Sequence, residues 1–126
     1  MSATPHSDAM EAALAVMQLR MNALPPAMLM EDTYQRALTL ELTEVVLRRL
    51  AAVQDAGGNV ELFAHGFTHA AGNTIASLCS CLTGHEQPAM SLTAERICTV
   101  TVGRALMAAS NPKPDGVFVM PARGDA

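Results

Sequence analysis

The stretch AERICTVTVGRALMAAS, residues 94–110, decides the fold class, because it carries two contradictory signals. Cys98-Thr99-Val100-Thr101-Val102 alternates polar and apolar residues and is rich in β-branched side chains, which is the pattern of a half-buried strand. Yet the whole stretch contains no breaker except Gly103, and it is far longer than an average strand. Ile97, Val100 and Met107 also fall at helical spacing. A strand here would need a partner, and Val117-Phe118-Val119-Met120 is the one available. Length favours a helix beginning at a cap on Ser91 or Thr93 and ending before Asn111-Pro112. A small two-stranded element is the alternative reading of 97–102.

With that segment read as helix, the rest of the chain falls into line. A first helix is expected from Ser7 to about Leu24, capped by Ser7, with Asp8 and Glu11 in the first turn and Pro25-Pro26 as the stop. Its residues Met10, Leu14, Met17, Met21 and Leu24 step by four, three, four and three, a seam suited to another helix. A second helix is expected from about Asp32 to Ala56. Asp32 and Gln35 resemble a capping box, and Gly57-Gly58 end the helix. One of its faces carries Tyr34, Leu38, Leu42, Val45, Val46, Arg49 and Val53, and another carries Leu40 and Leu47. Asp32–Arg36 and Glu44–Arg48 are supporting i,i+4 pairs.

A third helix is expected from Asn59 to about Thr83, with Gly84 as terminator. Val60, Phe63, Phe67, Ala70, Ala71, Leu78, Cys81 and Leu82 read as its core side, and Gly66 and Gly72 suggest close packing or a break near Gly72. The expected fold is therefore all-α: a compact antiparallel bundle of three or four helices forming a single domain over 1–126. A turn-rich tail follows, in which 117–120 could lie extended, and residues 1–6 and 121–126 are expected to be flexible.

Composition bears on function. Apolar residues make up 50% of the 126-residue chain and charged residues only 16%, against about 25% in an average soluble domain. A chain so short of polar groups is expected to cover apolar surface with a second copy or another protein. The interface is expected on Met10, Leu14, Met17, Met21 and Leu24 of the first helix and on Leu40 and Leu47 of the second. The net charge is −4 and the basic residues are scattered. With three Phe, one Tyr and no Trp, neither a phosphate-binding stripe nor a base-stacking platform is available, so direct nucleic-acid binding is not expected. No stretch reaches the ~20 apolar residues of a membrane span. Three cysteines (Cys79, Cys81, Cys98), an odd number with no CxxC pair, suit buried thiols in a reducing cytoplasm.

Chemistry has one candidate location. Glu61, His65, His69 and Asn73 recur every four residues and stack along one side of the third helix, the candidate ligand-binding ladder. His65 and His69 could converge on one metal ion, but Gly66 stands where a zinc-protease H-E-x-x-H helix has its glutamate. A third ligand would have to come from another helix or another subunit. His85, close in sequence to Cys81, could act as a base for it, although inert thiols and a helix-end histidine explain the same residues. No phosphate-binding loop, dinucleotide fingerprint or nucleophile elbow is present. The sequence therefore points to a non-enzymatic interaction module (an adaptor, chaperone-like or regulatory protein) acting through helical apolar surfaces as a homo-oligomer. The alternative is a small metal- or ligand-binding helical protein, an enzyme if the ladder does acid–base work. No cofactor is expected unless a divalent metal sits on His65 and His69.

Overall fold

The computed structural model describes residues 3–110; the extended segment expected at 117–120 and the chain end lie outside the described residues. The fold is all-α, with four helices: α1 Pro5–Asn22, α2 Met30–Asp55, α3 Val60–Thr83 and α4 Gln87–Ser110. No strand occurs among the described residues, and 97–102 lies inside α4. The β-branched run tolerates a helix partly because a threonine there has somewhere to put its hydroxyl. Thr99 Oγ1 donates to the Glu95 carbonyl at 2.8 Å, one turn back.

The stops of α1, α2 and α3 are those the glycines and prolines announced, while three of the starts differ; α4 begins at Gln87, ahead of the expected Ser91 or Thr93 cap. α1 begins at Pro5 rather than after a Ser7 cap; Thr4 is the N-cap and makes no side-chain cap hydrogen bond. Proline at the first helical position has its φ already set and no amide to satisfy. α2 begins at Met30 behind an uncapped Leu29, so Asp32 sits in the first turn, where a carboxylate still favours the positive helix end. α3 runs unbroken through Gly66 and Gly72.

At the end of α2, Gly57 adopts φ +72, its amide donates to Gln54 O at 3.1 Å, and Gly58 N donates to Val53 O at 2.8 Å. This pairing of successive amides onto the last carbonyls is a Schellman ending, and it requires the left-handed residue that glycine supplies. α3 also ends on a left-handed glycine, Gly84 (φ +63), whose amide donates to Ser80 O at 3.0 Å.

The chain divides into two compact units, one containing α1 and α2 and the other, Glu61–Ser110, containing α3 and α4. In the first unit α1 and α2 pack along each other. They run antiparallel, since the start of α1 meets the end of α2: the amides of His6 and Ser7 donate to Asp55 Oδ1 and Oδ2 at 2.8 and 2.9 Å. The core of the pair is Met10, Leu14, Met17 and Ala51, each at most 4% exposed, with Met21, Leu40 and Leu47 packed against it. Along α1 the seam Met10–Leu14–Met17–Met21 steps four, three, four; along α2 the residues that face it, Leu40, Leu47 and Ala51, are spaced seven and four, which keeps them on one side of the helix. Arg48 Nε meets the Glu11 carboxylate at 3.0 Å from the side, and Arg48 also reaches Glu44 at 3.5 Å. Arg36 does not seek Asp32; its guanidinium donates to the Pro25 carbonyl at 2.6 Å and ties down the 23–29 connection.

The residues expected at an interface take part in packing within the chain. Met10, Leu14, Met17, Met21, Leu40 and Leu47 meet within the chain, across the α1–α2 contact, and the first three are buried there. Leu24 is half-buried just beyond α1. The face of α2 with the bulkier residues is the outer one: Tyr34, Leu38, Leu42 and Val45 are 53–68% exposed. Seams at heptad-like spacing on consecutive helices joined by a short connection suit each other.

In the second unit, side chains are covered mainly near the turn that joins the helices. Cys79 is buried, and Ile75, Ser80 and Thr83 on α3 and Met90, Thr93, Ala94 and Ile97 on α4 are half-buried. Several residues expected on the core side of α3 stand open, among them Phe67, Leu78 and Leu82. No described helix is long and apolar enough to cross a membrane.

Candidate functional site

The ladder on α3 is built by helix geometry alone. Four-residue steps advance slightly more than one turn, so Glu61, His65, His69 and Asn73 climb one side of the helix, and all four are exposed. The structure brings the two histidines together. Their Nε2 atoms lie 3.2 Å apart, and their rings meet edge to face, with centroids 4.8 Å apart and planes at 73°. That is hydrogen-bond distance, with the donor and acceptor roles set by the tautomers of the two rings. Glu61 and Asn73 remain one turn away at either end and do not close on the pair. Among the described residues, no group of three His, Cys, Asp or Glu side chains gathers to hold a metal ion.

Hydroxyls along the same helix turn inward to its own backbone. Thr68 donates to His65 O at 2.7 Å, Thr74 to Ala70 O at 2.8 Å and Ser77 to Asn73 O at 3.0 Å.

The cysteines divide by environment. Cys79 is buried, whereas Cys81 and Cys98 are exposed, and none forms a disulfide. His85 pairs with Ser80 rather than with Cys81: its backbone is left-handed (φ +71), which folds the ring back over the helix end and brings Nδ1 within 2.5 Å of Ser80 Oγ. Sequence reasoning missed this contact. The signal for it was the glycine at 84, whose left-handed turn reverses the chain and returns the following side chain onto the last turn of α3.

Asp55 is the most chemically distinctive carboxylate. Desolvation pushes its pKa upward, but hydrogen bonds from the Ser7 side chain and from the Ser7 and His6 amides, aided by the His6 charge, outweigh it and hold the carboxyl below its usual value. It acts as a cap supplied by another helix. The two N-terminal amides of α1, which Thr4 leaves without a side-chain acceptor, find theirs forty-eight or forty-nine positions along the chain. A shallow recess lined by Ser7, Met10, Glu11, Arg48 and Ala51 lies beside this contact. Glu11 already occupies the Arg48 guanidinium there.

Comparison of the chain with family models, with curated proteins and with solved structures finds no match.

Proposed function

We propose that this chain is a non-enzymatic interaction module that associates with a second copy of itself through apolar helix surface. The observation that carries this reading is the outer face of α2. Tyr34, Leu38, Leu42 and Val45 follow at helical spacing, each more than half exposed, on the side of the helix turned away from α1. A contiguous apolar stripe of this kind is uncommon on a protein that works alone. The small buried core supports the same reading: five described hydrophobic residues are buried, while many large ones on all four helices stand open. Charge is sparse enough that such faces could meet with little desolvation of ionic groups. Adaptor, chaperone-like and regulatory roles all belong to this class. The free thiols Cys79, Cys81 and Cys98 fit a cytoplasmic setting.

Sedimentation velocity on the full chain across micromolar concentrations tests the proposal. Self-association is expected, and Leu38→Glu with Leu42→Glu should abolish it while leaving the helical circular dichroism signal in place. A concentration-independent monomer that binds no hydrophobic dye would overturn it.

A further inference from the structure

We propose that His65 and His69 form one half of a divalent-metal site, completed by the same two histidines of a second copy of this chain. Two nitrogen ligands about 2.0–2.1 Å from one zinc ion, at the tetrahedral angle, stand about 3.3–3.4 Å apart. The two Nε2 atoms are already 3.2 Å apart on one helix face. Binding would replace the hydrogen bond between the rings: the donating ring gives its Nε2 proton to solvent and takes one from solvent at Nδ1, so both rings hold the Nδ1–H tautomer and both Nε2 lone pairs face the ion. Imidazole donors suit zinc and its neighbours copper and nickel among the first-row metals.

Two ligands do not hold such an ion, and among the described residues no third His, Cys, Asp or Glu gathers at the pair. A two-fold axis passing beside the pair supplies what is missing, because an isologous contact sets each residue against its own copy or a close neighbour and turns two histidines into four. The surface around the pair allows that approach. Gly72 lies a heptad beyond His65 and Ala76 a heptad beyond His69, so the stripe continues in small, exposed residues. A Cβ built at Gly72, or at Gly66 beside the pair, would meet nothing within 4 Å. Another helix can therefore come close along this side of α3.

The test is zinc titration of the full, chelator-treated chain by calorimetry, with stoichiometry as the readout. The expected result is one Zn²⁺ per two chains, with affinity lowered at least about tenfold in His65→Gln and His69→Gln. His6→Gln and His85→Gln should bind as the parent does. Both ladder histidines are exposed, so circular dichroism of the variants should be unchanged. No binding, one ion per single chain, or undiminished binding in the double His65→Gln/His69→Gln variant would each overturn the proposal. A dimer formed without metal bears on the α2 surface alone and leaves this stoichiometry to be read independently.

Discussion

Replacing Leu14 by alanine tests the placement of the α1 seam. Leu14 is 3% exposed and stands in the middle of the buried row Met10–Leu14–Met17, over Ala51 of α2. Truncation removes a fully buried isobutyl group and leaves a void, and such changes cost about 2–5 kcal/mol depending on how far the surroundings collapse. Here the flanking side chains are two methionines, which have the torsional freedom to slump into the gap. The low end, about 2–3 kcal/mol, is therefore expected. For a unit of this size that is a fall in Tm of roughly 10 °C or more. The assay is thermal denaturation followed by circular dichroism, with Leu19→Ala as the control, since Leu19 is 70% exposed on the same helix. Sedimentation velocity of the same variant should match the parent, because the seam faces α2 of its own chain. An unchanged Tm would refute the packing described above. So would dissociation of an assembly in Leu14→Ala, which would place the seam between molecules.

Two further perturbations address how the helix pair is closed. Asp55→Asn should lower the Tm at neutral pH and flatten its acid dependence. The carboxyl titrates below its ordinary value when folded, so its contribution is present above the unfolded pKa of about 3.9 and is lost as pH falls through the lower folded value; an acid profile for Asp55→Asn identical to the parent's would contradict this. Gly57→Ala should cost about 1 kcal/mol, because φ +72 penalises a Cβ even where space is open, while Gly57→Asn should cost less; equal stability of Gly57→Ala and the parent in urea denaturation would argue against the Schellman ending.

The helices were legible because their punctuation is local. Pro25-Pro26, Gly57-Gly58 and Gly84 stop the chain by backbone chemistry that does not depend on tertiary context. The starts were less legible for the same reason inverted. Ser7 is the better capping residue by propensity, but Pro5 at the first helical position, with Asp55 available to take the next amides, lets the helix begin earlier. The alternation Cys98–Val102 is a true strand pattern, overridden because the surrounding residues sustain a helix through it. The histidine spacing was visible as a ladder; that the two Nε2 atoms meet at 3.2 Å depends on rotamers, which no spacing fixes.

The rotation of α2 about its axis was the least readable feature, and it has the largest consequence. By bulk alone, the face with Tyr34, Leu38, Leu42 and Val45 should turn inward. Three residues on the other side decide otherwise. Ala51, 1% exposed, is small enough to let the α1 backbone approach; Asp55, one turn later on the same stripe, receives the N-terminal amides of α1; and Arg48 beside them meets Glu11. Turning the bulkier face inward would take Asp55 away from those amides and set Arg49, which shares that face, toward the core. The half-exposed Arg48–Glu11 pair is a weak constraint by itself. Asp55 is a stronger one, since it satisfies two backbone donors at once and fixes the axial register as well as the rotation. The cost is an apolar stripe left outside. Asp55 thereby governs which face of α2 is available for association, although it lies far from the stripe along the helix. Asp55→Asn should then disturb self-association along with stability, while Glu11→Gln, which removes only the surface ion pair, should disturb neither; sedimentation velocity and thermal denaturation of the two variants side by side would show it, and equal behaviour of the pair would refute the role given to Asp55.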